Sequence, residues 1–195
     1  SNRTYRYFGG DVLYPFGYGL SYTSFKYKKL ECPSEVQIGD TLNVKVEVSN
    51  TGKFAGEEVV QLYLSHKAIA QEAPLCQLVR FKKVNLNPGE NKVVEFKLSA
   101  RDLAYVDETG GIGTVPGTIT VYAGNVCPSA PKRFTSKILS ESIGLKGIPK
   151  YFLYWYQRFI RLYLKLKLDM YVYNNVNLYT NKNEKYFTQQ LEIYY

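Results

Sequence analysis

The sequence predicts an all-β protein: an antiparallel two-sheet β-sandwich of about seven short strands, with an irregular aromatic segment before it and a tail of different character after it. Three observations carry this expectation. Apolar and polar residues alternate at period two in successive short stretches. Turn-forming residues separate those stretches at regular spacing. One stretch, residues 13–25, follows neither the strand nor the helix period and threads five aromatic rings through Pro15, Gly17 and Gly19. With 195 residues, a sandwich of about 100 residues plus extensions is the natural division, and a chain of this size buries about two-thirds of its surface.

The irregular segment organises the rest. Pro15 fixes a φ angle, and Gly17 and Gly19 open backbone conformations closed to other residues. Tyr14, Phe16, Tyr18, Tyr22 and Phe25 stand between and beyond them. Left exposed, so many rings would form a sticky patch, and a small sandwich can cover only part of their area. Residues 1–25 are therefore expected to be a connector. Its aromatic side chains dock on a region preceding Ser1, so the chain begins in the middle of a larger architecture.

The strands follow in order. Residues 26–30 make a short first strand, stopped at Cys32-Pro33-Ser34. In residues 41–49, Leu42, Val44, Val46 and Val48 alternate with Asn43, Lys45 and Glu47, giving one buried and one wet face. Asn50-Thr51-Gly52 marks a turn. Residues 59–65 place Val60, Leu62 and Leu64 on one face, and residues 66–74 read as a loop that leaves His66 in solvent. Residues 78–86 form a strand ending at Asn87-Pro88-Gly89, whose Pro-Gly pair suits a tight turn. Residues 92–98 alternate again. Asp102-Leu103-Ala104 reads as a corner or one helical turn. Residues 118–123 and 134–140 complete the sheets.

Several of these pieces, quoted as they stand, carry a family resemblance. Thr4-Tyr5-Arg6-Tyr7-Phe8, then Leu13-Tyr14-Pro15-Phe16-Gly17-Tyr18-Gly19-Leu20-Ser21-Tyr22-Thr23, resembles the connector of glycoside hydrolase family 3. In those β-glucosidases and β-xylosidases it leads from the catalytic domains into a C-terminal fibronectin type III-like domain. Val46-Glu47-Val48-Ser49-Asn50-Thr51-Gly52, the run from Ala55 to Leu64, and Asn87-Pro88-Gly89-Glu90 are similar to recurrent pieces of that domain. So is the run from Gln77 to Val84, except that the family has a basic residue where Cys76 stands and Gly where Arg80 stands. The resemblance covers residues 4–147 and implies a fibronectin type III-like, immunoglobulin-like fold for residues 26–147. It implies docking on the catalytic domains of the same polypeptide through Tyr14, Phe16, Tyr18, Tyr22 and Phe25. The parent it implies is a secreted, exo-acting enzyme hydrolysing O-glycosyl bonds, with oligosaccharide as its ligand. The family's nucleophile and acid/base residue precede the connector, so no catalytic residue is carried over.

The residues themselves point the same way. Glycosidic hydrolysis needs two carboxyl groups facing each other across a cleft. Glu57 and Glu58 are strand neighbours whose side chains point to opposite faces, and Asp107-Glu108 lie in a loop before Gly110-Gly111. That glycine run is followed by Thr114-Val115-Pro116, not by a helix start, so it is no phosphate cradle. Cys32, Cys76 and Cys127 lack metal-ligand spacing, and with His66 as the sole histidine they imply neither metal nor cofactor. One disulfide plus a thiol, or three buried free thiols, both remain open. The net charge of +8 is spread along the chain and predicts a solvated surface, not a nucleic-acid partner. Asn2-Arg3-Thr4 is a glycosylation sequon. Tyr63 and Tyr122 could stack on sugar rings, but on strands such rings more often pack across the sheet.

From residue 148 the composition shifts. Ten of the nineteen tyrosines fall in residues 148–195, which lack glycine. Pro149 suits a helix start, with Phe152, Trp155, Tyr156, Phe159, Tyr163, Leu166 and Met170 on one stripe. A strand reading competes at residues 162–172. The charges exclude a comfortable membrane span, leaving a basic amphipathic helix on a membrane surface or, preferred here, a tail foreign to the domain whose bias matches translated AT-rich sequence. The alternatives to a docking role are a free-standing carbohydrate- or protein-binding sandwich and a nonfunctional product of a truncated gene.

Overall fold

A computed structural model describes residues 4–70, 73–106, 111–135, 137–151, 165 and 167. The chain forms two units, Ser1–Phe152 and Leu153–Tyr195, and all strands below belong to the first. They are β1 (Phe25–Glu31), β2 (Glu35–Gln37), β3 (Leu42–Asn50), β4 (Gly56–Ser65), β5 (Gln77–Leu86), β6 (Asn91–Leu98), β7 (Tyr105–Val106), β8 (Ile112–Thr114), β9 (Gly117–Gly124), β10 (Leu139–Lys146) and β11 (Lys150–Tyr151), with a short helix α1 (Lys132–Thr135) before β10.

Period-two patterning decides the architecture. Leu42, Val44, Val46 and Val48 of β3 are fully buried, as are Val60, Leu62 and Leu64 of β4 and Ile119, Val121 and Ala123 of β9. Each strand thus offers one apolar face, and two such faces must meet. One sheet has the order β1-β3-β6 and the other β2-β10-β9-β4-β5, while β11-β8-β7 form a small third sheet. The pairings within the two large sheets are antiparallel except for β10 with β2, which is parallel. One contiguous core joins both, with Phe25, Tyr27 and Leu30 contributed by β1. Each fully buried aliphatic side chain contributes about 1.5–3 kcal/mol. The seven longer strands, β1, β3, β4, β5, β6, β9 and β10, are the sandwich expected from the pattern.

An irregularity in β1 shows how pattern and register cooperate. Tyr27 opposes Val48, but Lys29 opposes Glu47. The shift at Lys28 is a bulge, and it moves the buried position from 29 to 30. Lys29 therefore faces solvent and Leu30 the core.

Two expectations are corrected. Residues 134–140 are not the closing strand: α1 occupies Lys132–Thr135, started by Pro131, whose carbonyl accepts from Phe134 N at 2.9 Å. Proline pre-sets the helical φ. The strand begins at Leu139 and buries Ile143 and Leu145 beyond a polar start. Nor does Pro149 open a helix, because Lys150 and Tyr151 pair with Thr114 and Gly113 on the edge of β8. Of the rest of the tail only Lys165 and Lys167 are described, both helical, so the apolar stripe and its strand alternative lie outside the described residues. Among the described residues no helix is long and apolar enough to cross a membrane.

Candidate functional site

Strand β4 is buried on both faces. Val60, Leu62 and Leu64 point into the sandwich, while Gln61, Tyr63 and Ser65 are covered from outside. The cover over Gln61 and Tyr63 is the connector. Tyr5 meets Tyr63 edge-on with ring centroids 6.4 Å apart, and stacks on Phe16 at 4.3 Å with planes 12° apart. Gly17 sits directly over Gln61: a Cβ there would lie 2.6 Å from Gln61 Oε1 and 2.8 Å from the Asn125 carbonyl, at a φ of +86°. Only glycine combines that approach with that backbone.

Backbone hydrogen bonds fix the arrangement. Cys127 N donates to the Phe16 carbonyl at 2.9 Å and Leu75 N to the Arg6 carbonyl at 2.7 Å. Arg6 Nη2 donates to Gln77 Oε1 at 2.8 Å, and Ser129 Oγ to the Tyr5 carbonyl at 3.2 Å. At the far end Thr23 Oγ1 donates to Asn50 Oδ1 at 2.7 Å. The buried amide of Asn50 in turn donates to the carbonyls of Phe54 and Leu86 at 2.7 and 3.0 Å, so one side chain holds connector, turn and sheet together.

The five candidate docking residues divide. Phe25 is corrected: it lies in β1 with its ring in the sandwich core, because it is the first inward position of that strand's alternation. Phe16 and Tyr18 are half-covered by the sandwich, Tyr18 edge-on to Phe134 at 5.4 Å and tilted against Tyr14 at 5.3 Å. Tyr14 and Tyr22 are 74% and 98% exposed. Leu13 and Leu20, not singled out in the sequence, are 86% and 90% exposed; their place in the same aperiodic segment was the available signal. A cavity of about 240 Å³ opens between Tyr5, Phe8, Tyr14, Phe16 and Cys127.

The acidic and titratable groups are placed as follows. Glu57 faces solvent and pairs with Lys83. Glu58 faces inward and accepts from the Tyr27 hydroxyl, and burial pushes its carboxyl above the ordinary range. The two point apart, as strand neighbours do. Asp107, Glu108 and Gly110 lie outside the described residues. Tyr63 is fully buried and Tyr122 packs against the Cys76–Cys127 cluster, so Tyr63 offers no ring to a sugar. His66 is corrected from exposed to buried: it directly follows β4, its carbonyl accepts from Ile69 N and Ala70 N, and Nε2–H donates to the Leu103 carbonyl at 2.9 Å. Burial lowers its pKa.

Parts of the chain are similar to known proteins. Residues 58–126 match the model of the fibronectin type III-like domain. The chain contains that domain. A β-xylosidase of Formosa agariphila is 42% identical over 122 residues, covering 62% of this chain and 17% of that protein. A periplasmic β-glucosidase of Salmonella typhimurium is 38% identical over 124 residues, covering 62% and 16%. The crystal structure of β-glucosidase from Listeria innocua in complex with glucose superimposes with a TM-score of 0.61 at 30% identity, covering 70% of this chain and 18% of that one. The fibronectin type III-like domain therefore matches the C-terminal region of family 3 β-glucosidases and β-xylosidases, and the chain spans less than a fifth of the length of these three.

Proposed function

We propose that this chain is the non-catalytic docking end of a family 3 glycosidase, and that residues 1–25 are its interface with the catalytic domains of the same polypeptide. The observation that carries the reading is the split in the connector. Tyr5, Pro15 and Gly17 are spent on the sandwich, while Leu13, Tyr14, Leu20 and Tyr22 stay 74–98% exposed. Four large apolar side chains on one short segment form the kind of patch that a partner covers. Residues 26–147 would be the folded support, with Lys150 and Tyr151 still paired to its β8 edge, and the tail beyond them an appendage outside the domain. The parent would be an exo-acting β-xylosidase or β-glucosidase working on oligosaccharides outside the cytoplasm. The likeness to a periplasmic relative supports that location, and the likeness to enzymes of both names supports that activity.

The test uses the double substitution Tyr14→Ser/Leu20→Ser. In this chain alone it should leave the unfolding midpoint unchanged. In a polypeptide carrying the chain behind its catalytic domains it should lower that midpoint. An unchanged midpoint in the longer polypeptide would refute the docking role. Xylo- and gluco-oligosaccharides titrated against the chain alone should show no saturable binding; saturation would favour a binding module instead.

A further inference from the structure

We propose that Cys76 and Cys127 form a disulfide that clamps the connector to the outer face of the five-stranded sheet, made by exchange with a small-molecule disulfide such as glutathione disulfide. The proposal concerns the chain's own covalent structure and stands apart from the docking role.

Cys76 immediately precedes β5 and Cys127 follows β9, the two strands that flank β4. Tyr63 of β4 packs in one cluster with both cysteines and is itself fully buried. The two Sγ atoms lie 2.7 Å apart, inside the contact distance of two unbonded thiols. A sub-ångström approach reaches the bond length of about 2.05 Å. Cys32, half-buried beyond β1, belongs to neither partner's surroundings.

Access and reactivity differ between the two. Cys127 lines the cavity of about 240 Å³ beneath Tyr5 and Phe16, whereas Cys76 does not. Hydrogen bonds with Cys76 and with Ser129, whose Oγ lies 3.0 Å away, lower the Cys127 thiol, whereas the bond to Cys127 and burial push Cys76 up. Thiolate character and access select the attacking sulfur. Cys127 thiolate attacks one sulfur of the oxidant, forming a mixed disulfide and expelling one thiolate. Cys76 then attacks Cys127 Sγ, forming the internal bond and expelling the second. The two protons from the cysteines end on the two released small thiols, and the oxidant disulfide takes up the two electrons.

The consequence follows from what surrounds the pair. Leu75 and Gln77, on either side of Cys76, bond to Arg6; Cys127 and Ser129 bond to Phe16 and Tyr5. The bridge therefore joins the two points to which the connector is tied.

The whole chain is equilibrated in glutathione disulfide, alkylated and mapped by peptide mass spectrometry. The expected result is a Cys76–Cys127 cross-linked peptide, with only Cys32 of the three cysteines still alkylated, and slower proteolysis within residues 4–18 than in the reduced chain. Cys76→Ser should lose the bridge and carry glutathione on Cys127. Cys32→Ser should keep the bridge. Alkylation of both Cys76 and Cys127 after oxidation, or a bridge that includes Cys32, overturns the proposal, and the mapping of the unsubstituted chain decides this whether or not a variant folds.

Discussion

The Tyr27 hydroxyl donates a 2.8 Å hydrogen bond to Glu58 Oε1, linking β1 of one sheet to β4 of the other. The carboxyl is buried and its pKa is raised above 4.5 chiefly by desolvation, with the Tyr27 bond opposing. The folded state then holds its proton more tightly than the unfolded chain does. Its contribution to stability is full below the unfolded carboxylate pKa and is lost as the pH rises through the raised folded value. Glu58→Gln keeps an acceptor for Tyr27 and removes the charge, so it should abolish that decline and leave neutral-pH stability equal or higher. Urea midpoints measured from about pH 4 to 7 test this; parallel profiles for the two proteins would refute it. Tyr27→Phe strands the carboxylate and should cost about 1–3 kcal/mol at neutral pH.

His66 acts with the opposite sign. Its ring is held neutral by burial, as donor to the Leu103 carbonyl, and its pKa lies below 6.5. The unfolded chain binds the proton more readily, so stability should fall as the pH drops below 6.5 and stop falling below the depressed folded value. His66→Gln can still donate to Leu103 and should flatten this acid-side slope. An unchanged slope would show that His66 titrates freely.

How far the sequence could be read depends on what kind of information each feature carries. The strands holding Leu42 to Val48 and Val94 to Leu98 were legible because burial of one face leaves a period-two trace in the chain. The turn at Asn87-Pro88-Gly89 was legible because its chemistry is local. Phe25 looked like one more connector ring because its role depends on where β1 begins, which aromatic content does not mark. His66 looked exposed because loops usually are, and only the fold of residues 66–70 beneath Leu103 buries it. The Cys76–Cys127 pair left no local signal at all. Their proximity is created by β5 and β9 flanking β4, a property of sheet order and not of spacing.

Gly89 tests the local part of that reading. Glu90 N donates to the Asn87 carbonyl at 3.0 Å, closing a four-residue turn with Pro88 second and Gly89 third at a φ of +77°. This is the type II pattern, which requires positive φ at the third position. A Cβ on Gly89 would meet nothing within 4 Å, so any cost of substitution is backbone strain alone. Gly89→Ala should destabilise by about 1–2 kcal/mol, and Gly89→Asn by less, since asparagine tolerates this region. Equal costs for the two in denaturant titration would mean that the turn adopts another form.

The sharpest contrast lies three residues apart. Tyr22 is 98% exposed, and Phe25 is 6% exposed within the core. Phe25→Ala removes a ring from a filled interior and should cost about 3–5 kcal/mol. Tyr22→Ser removes a ring from solvent and should change stability by no more than about 0.5 kcal/mol. Both are read from denaturant midpoints of the chain alone, where no catalytic domain can contribute. A large loss for Tyr22→Ser would mean that its ring already has a partner within this chain. The patch formed by Leu13, Tyr14, Leu20 and Tyr22 would then lose a member, and the docking surface would have to be drawn without it. A small loss for both would be inconsistent with the register that places Phe25 opposite Asn50 at the first inward position of β1. The pair thus tests, at two neighbouring positions, where the connector ends and the sandwich begins.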